Sequence, residues 1–244
     1  MEMSGYVLEV SQRLVDAAGI TLILVFVCAA FGLVIAVPMG LARLSRNRVL
    51  YLVSTGFTFV FRGTPGLVQL YFLYYGVARL EFVRESFLWI ILQSPWWCAI
   101  IALSLNTSAY TAEIVRGSLM TVPTGPIEAA KSLGLSGARL FFLVRAPLAI
   151  RVALPAYGNE LVLLVKGTSI VSTITILDLM GEAKLIYTQT FDPFVPMFTA
   201  AGIYLIIGLG VSRLIGFSEL RFFRERAAGA VPADRRPVAL ETGH

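Results

Sequence analysis

Charge is the scarcest feature of this sequence. Only 14% of its 244 residues are Asp, Glu, Lys or Arg, against about 25% in a typical soluble domain. With 57% of residues hydrophobic and a mean hydropathy of +0.78, the chain has too little polar surface to coat itself in water. Histidine is nearly absent, the one copy being the last residue, His244. That excludes a metal site built on histidine and any Ser/His/Asp or Cys/His triad. Cysteine is scarce too: Cys28 and Cys98 both fall inside apolar runs, which predicts buried thiols and no disulfide. No phosphate-binding loop is complete. GPIEAAKS, residues 125–132, carries Ala130 where a second glycine must let backbone N–H groups wrap phosphate, and no strand precedes it. Asn106-Thr107-Ser108 spells a glycosylation sequon, but in the middle of an apolar run where no glycan can be attached.

What the chain has instead is long uncharged runs. Ala17 to Ala42, Ser86 to Ala112 and Pro193 to Ser212 contain no charged residue, and about 20 such residues span a bilayer core. The first run is too long for a signal peptide and lacks a cleavage pattern after it. The sequence therefore predicts an all-α membrane protein with about five spans: Ala17 to Leu41, Pro65 to Ala78, Pro95 to Val115, Val152 to Leu177 and Phe194 to Phe217. Fourteen of the 20 Lys and Arg residues fall after the first and third spans or from Arg213, near the end of the fifth, onwards. Four (Arg13, Arg79, Arg84 and Lys184) fall on the other side. Cytoplasmic loops carry the positive excess, so the N-terminus is expected outside and the C-terminus inside. Tryptophans 89, 96 and 97 and tyrosines 71, 74 and 75 cluster at the expected outer ends, where aromatic belts form. This asymmetry accounts for the net charge of +5 without nucleic-acid binding. Residues 1–16 read as an outer N-terminal segment, 17–220 as the transmembrane domain, and 221–244 as a basic, disordered cytoplasmic tail. The chain has no internal repeat, which weighs against a secondary transporter built from inverted repeats.

The stretch RGTP, Arg62 to Pro65, interrupts 30 otherwise apolar residues, Val49 to Ala78. As one helix these would be about 45 Å long, against a core of about 30 Å. Thr64 then reads as a helix cap and Pro65 as a first helical residue. Two placements of Arg62 are open. Residues 49–61 can approach along the inner interface, leaving Arg62 at the headgroups. Alternatively Arg62 lies deeper, facing the interior, with Glu113 or Glu160 as partner. Helical spacing aligns Asn106, Tyr110 and Glu113 on one face, and Asn159, Lys166, Ser169 and Thr173 on another. Such stripes either line a polar path or hydrogen-bond packed helices together. Glu160 and Lys166 are six residues apart and point about 120° away from each other.

Between the third and fourth spans lies a loop, Arg116 to Arg151, with its own helical signals. Thr124-Gly125-Pro126 starts a short helix through IEAAKSL, which Gly134 stops. Ser136-Gly137 begins a second helix, which Pro147 bends or ends. Ala129 and Ala130 give the first helix a flat side that another surface can approach.

This loop resembles the EAA loop of ABC importer permeases, E-A-A-x-x-x-G followed after nine residues by I-x-L-P. Glu128, Ala129, Ala130 and Gly134 match the first part; Val144, Arg145, Ala146 and Pro147 stand at the second, with Ala146 departing from leucine. RGTPGLVQLYFLYYG and ALPAYGNELVLLVKGTSIVS are similar to signatures of the subfamily importing polar amino acids, with Gly167 at a position often Asp in relatives. YFLYYG and QTFDPF look most like the branch handling histidine, lysine, arginine, ornithine or opines. The resemblance covers roughly Gly19 to Leu220 and implies a type I ABC importer permease fold. It implies two permease subunits, identical or paralogous, with two cytoplasmic ATPase subunits that supply the ATP and magnesium chemistry. A periplasmic amino acid-binding protein delivers the solute. No cofactor is expected in this chain, and it is not itself an enzyme. On this reading Glu128, Ala129, Ala130 and Gly134 form the coupling helix and its turn. Arg62, Thr64, Asn106, Glu113, Asn159, Glu160, Lys166 and Ser169 are the candidate substrate pathway. The rival classes are a stand-alone carrier or channel driven by an ion gradient through Glu113, Glu160 and Lys166, and a membrane scaffold.

Overall fold

A computed structural model describes residues 3–229; the end of the basic tail lies outside the described residues. Among the described residues there is no strand. The helices are α1 (Met3–Ala42), α2 (Arg48–Gly63), α3 (Gly66–Tyr71), α4 (Glu81–Arg84), α5 (Trp89–Leu92), α6 (Pro95–Thr121), α7 (Thr124–Ser132), α8 (Gly137–Leu140), α9 (Ala146–Gly167), α10 (Leu179–Thr190) and α11 (Phe194–Gly229). A π-helical turn, Phe72–Gly76, and a 3-10 turn, Val77–Arg79, prolong α3; a π-helical turn, Phe141–Arg145, joins α8 to α9; and a 3-10 stretch, Thr168–Ile174, prolongs α9.

Four continuous helical stretches among the described residues are long and apolar enough to cross a membrane: residues 4–42, 95–121, 137–174 and 194–218. The chain's contacts give their directions. Gly32 of α1 meets Thr107 of α6, and Gly40 meets Ala112 and Val115, so α1 and α6 run in parallel. Ala149 of α9 packs with Leu119 and Val122, while Glu160 reaches Thr107, so α9 runs back. Gly158 meets Ile215, and Gly208 meets Val162, so α11 reverses again. Small residues at these crossings let backbones approach, the usual device where hydrocarbon removes the hydrophobic drive between helices. A Cβ on Gly40 would lie 2.8 Å from the Ala112 carbonyl oxygen. Gly40→Ala is therefore expected to destabilise the protein by about 1–3 kcal/mol, read as a lower thermal midpoint in detergent. Gly56, with nothing within 4 Å of an added Cβ, is the control: Gly56→Ala leaves the midpoint unchanged or raises it.

Several sequence expectations are corrected. α1 begins at Met3, well before Ala17, because Val10 and Leu14 bury against α10 and Arg13 pairs with Glu182 at 2.7 Å. α11 runs on to Gly229, so residues 221–229 of the expected disordered tail are helical; residues 230–244 lie outside the described residues. The segment before the fifth span holds α10. Asp178 caps it by accepting the Gly181 N–H at 2.9 Å, and Leu179, Ala183 and Ile186 are buried at helical spacing. Pro147 does not end its helix. It sits in the first turn of α9 behind the π-helical turn, where the Ala146 N–H reaches Phe141 and the regular ladder a proline would break is already interrupted. Cys28 and Cys98 are buried free thiols.

Candidate functional site: a broken helix and an exposed turn

The break at RGTP divides two helices that both flank α6. Thr64 ends α2 in an extended conformation (φ −117°, ψ 144°) and Pro65 precedes α3 (φ −63°, ψ 136°). Proline forces the residue before it out of the helical region, so α2 stops at Gly63 and α3 starts at Gly66, one residue later than expected. The Thr64 hydroxyl donates back to Val60 O at 2.8 Å and does not cap α3.

Carbonyls freed by the break are satisfied by side chains. Gln69 Nε2 donates to Phe61 O and to Thr64 O, at 2.9 and 3.0 Å, and Asn106 Nδ2 donates to Phe61 O and to Gln69 Oε1, at 3.3 and 3.2 Å. In an apolar surrounding each unpaired group would cost several kcal/mol. Gln69 is a residue that sequence reasoning passed over; its place, four residues after Pro65, was the available signal.

α2 packs against the bundle. Ser54 donates to Met39 O at 2.8 Å, Asn106 reaches Phe61 O, and Leu70 joins the core beside Cys98, Ala99 and Ala102. Along α6, Phe61 and Gly66 lie beside Asn106, while Phe72 and Leu73 share a cavity with Ala102 and Leu105, so α2 and α3 together run antiparallel to it. The buried face of α2 is polar, through Ser54 and Thr58, while Val49, Leu52, Val53, Phe59 and Val60 are exposed. That pattern is inverted relative to a helix in water and suits a lipid surrounding.

Asn106, Tyr110 and Glu113 all face the end of α2. Glu113 pairs with Arg43, with Arg116 at 3.0 Å and with Arg62 at 4.0 Å. The Arg62 guanidinium lies 5.3 Å from the centre of the Tyr110 ring. Arg116 as a partner was legible at i, i+3; Arg43 was not, since only the fold brings it there.

The second stripe does not gather into one site. Glu160 is buried between α9 and α6 and accepts the Thr107 hydroxyl at 2.8 Å. Asn159 is exposed. Lys166 and Ser169 line a cleft of about 630 Å³ between α9 and α11, together with Tyr204 and Ser212. Asp178 is fully buried and accepts the hydroxyl of Tyr204, one of the cleft residues, at 3.2 Å. Burial pushes its carboxyl above the ordinary aspartate range, against the Gly181 N–H and the Tyr204 hydroxyl, which pull it down.

At the opposite end, α7 carries the EAA residues. Gly134 has φ +82°, and its N–H reaches Lys131 O at 2.9 Å while the Leu135 N–H reaches Ala130 O at 3.0 Å. That pair of bonds is a Schellman stop, which needs a residue free to adopt left-handed geometry. The helix is seated by Ile127, packed on Leu119, Val122 and Ala149, with Ala130 buried one turn on. Glu128 and Ala129 are exposed, as is Leu133 at 83%. The flat outward side is thus Ala129 alone; Ala130 is taken up by the chain's own packing, because it stands three positions from Ile127, back on the same face, whereas Ala129 stands two positions on, about 200° around the helix.

These features match known proteins. Residues 14–224 match the family described as binding-protein-dependent transport system inner membrane component. The chain is 43% identical over 230 residues to the nopaline transport system permease protein NocM of Agrobacterium fabrum, covering 93% of this chain and 95% of that one. It is 45% identical over 211 residues to the octopine transport system permease protein OccM of Rhizobium radiobacter, covering 85% and 86%. Against the histidine/lysine/arginine/ornithine transport system permease protein HisM of Escherichia coli, identity is 38% over 206 residues, 84% and 87% of the chains. A solved structure described as an amino acid ABC transporter with histidines superposes with a TM-score of 0.77 and 32% identity, covering 88% of this chain and 96% of that one. The bundle, the broken helix and the exposed EAA turn are therefore those of a type I ABC importer permease, and the chain belongs to the family of binding-protein-dependent transport system inner membrane components.

Proposed function

We propose that this chain is the membrane-spanning subunit of an ATP-driven importer for polar amino acids, chiefly basic ones or opines, in a bacterial inner membrane. The observation that carries this is α7 with its Gly134 stop: a short helix seated on the body, with Glu128 and Ala129 turned outward. It acts as the coupling helix, docked on a cytoplasmic ATPase that holds ATP and magnesium. A second permease subunit completes the pathway, and a periplasmic binding protein delivers the solute. The relatives named for nopaline, octopine and basic amino acids support the substrate class.

The alternating helix directions support five crossings, with α2 and α3 as the second, the N-terminus outside and the C-terminus inside. Residues 116–151 are then the coupling loop within a domain of residues 17–220. On this reading Arg62 lies within the inner half of the bilayer, near Glu113. Thr64, Asn106, Asn159, Glu160, Lys166 and Ser169 flank the path at different depths.

Affinity purification of the tagged protein in mild detergent tests the assignment. A P-loop ATPase is expected to accompany it, and uptake is expected to fail on ATP depletion but survive an uncoupler. Isolation of this chain alone, moving solute in liposomes under an ion gradient, would replace the importer by a stand-alone carrier.

A further inference from the structure

Glu113 is outnumbered by its partners. Arg43 engages its Oε1, and Arg116 Nε and Nη2 both reach its Oε2 at 3.0 Å. Arg62 stands 4.0 Å from that same Oε2, beyond hydrogen-bonding distance. Three guanidiniums facing one carboxylate leave a surplus of two positive charges. Even counting Glu160, already engaged by Thr107, a surplus of one remains.

The three arginines are not equivalent. Arg43 also donates to the Thr58 hydroxyl, and Arg116 also contacts Met120. Arg62 has five N–H donors, and none of them makes a hydrogen bond among the described residues. Its side chain is 43% exposed, against 18% for Arg43 and 30% for Arg116. Tyr110 holds the guanidinium from one side by its ring face, and the Tyr110 hydroxyl lies 3.5 Å from Arg62 O. Arg62 is thus a fork-shaped donor set, fixed in position and left unused, beside the break in a helix.

We propose that Arg62 is a carboxylate receptor in the transport path, with Glu113 and Tyr110 as its positioning residues. The inference rests on the reading of this chain as a transport subunit. The planar guanidinium matches a carboxylate in bidentate geometry, and the uncompensated charge of the cluster favours an anionic group there. Partial exposure keeps the contact weak enough for release, as passage requires. The site therefore selects solutes by their free carboxylate, the group that amino acids and opines share, whatever their side chains carry.

The test uses the purified permease–ATPase complex without its binding protein, titrated by calorimetry with L-arginine and with agmatine, its decarboxylated analogue. Wild type is expected to prefer L-arginine by about tenfold or more. Arg62→Gln is expected to bring that ratio near one by weakening L-arginine, while agmatine, a dication relieved of one positive neighbour, binds no more weakly than to wild type. Arg62→Lys, which keeps the charge but not the fork, is expected to fall between them. A preference that survives in Arg62→Gln, or a wild type that shows no preference or does not bind L-arginine, overturns the carboxylate role. Failure of ATP-driven uptake by the wild-type complex would instead overturn the importer assignment.

Discussion

Glu113→Ala is expected to destabilise the detergent-solubilised protein by about 2–4 kcal/mol, somewhat less than the loss seen when one partner of a fully buried charge group is removed. The side chains of Glu113 and Arg43 are 16% and 18% exposed, so neither is free to recover full hydration. Removing the carboxylate leaves three guanidiniums from three parts of the chain facing one another: Arg43 after α1, Arg62 at the end of α2 and Arg116 on α6. Repulsion then pushes these elements apart where they meet. Glu113→Gln keeps an acceptor and is expected to lose less. Arg62→Gln breaks the 4.0 Å contact and the ring contact with Tyr110 of a partly exposed side chain, each worth about 0–1 kcal/mol, so its thermal midpoint falls much less than that of Glu113→Ala. Thermal unfolding of the three variants checks the ranking. A loss below about 1 kcal/mol for Glu113→Ala would mean that the cluster is hydrated and contributes little to the packing of α1, α2 and α6. Because whole-protein stability is only about 5–15 kcal/mol, the expected loss would also show as lower abundance in the membrane.

Gly134→Asp is expected to separate assembly of the bundle from coupling. At φ +82° a side chain with a Cβ costs about 1–2 kcal/mol. The variant escapes that cost by giving up the two bonds that close α7, Gly134 N–H to Lys131 O and Leu135 N–H to Ala130 O. Gly134 is exposed and an added Cβ meets nothing within 4 Å, so the bundle itself loses nothing. The effect falls on the pose of Glu128 and Ala129. Recovery of the ATPase with the tagged permease, and ATP-driven uptake with it, are expected to fall about tenfold or more at near-normal membrane abundance. Gly134→Asn, which tolerates left-handed geometry through its short polar side chain, is expected to keep much of both. Normal co-purification and uptake in Gly134→Asp would remove α7 from the coupling role.

Much of this architecture was legible before any coordinates. The uncharged runs, the arginine asymmetry and the Gly134 stop are local properties: bilayer thickness, loop charge and backbone sterics act on a few neighbouring residues at a time. The break at Thr64–Pro65 was legible for the same reason, since proline restricts the residue directly before it. The helical stripe of Asn106, Tyr110 and Glu113 was likewise visible as spacing along one helix.

What the stripe faces was not visible, because it depends on which helix lies alongside. Only tertiary packing places Arg43, some 70 positions away in sequence, on the same carboxylate as Arg62 and Arg116. Only packing shows that α2 buries Ser54 and Thr58 and turns Val49, Val53, Phe59 and Val60 outward; composition alone does not tell which face of a helix is buried. Packing also buries Ala130 while leaving Ala129 exposed, and sends Glu160 to Thr107 on α6 while Lys166 lines a cleft towards α11. Periodicity reports directions around a single helix axis, whereas charge balance and exposure are set by neighbours brought together from distant parts of the chain.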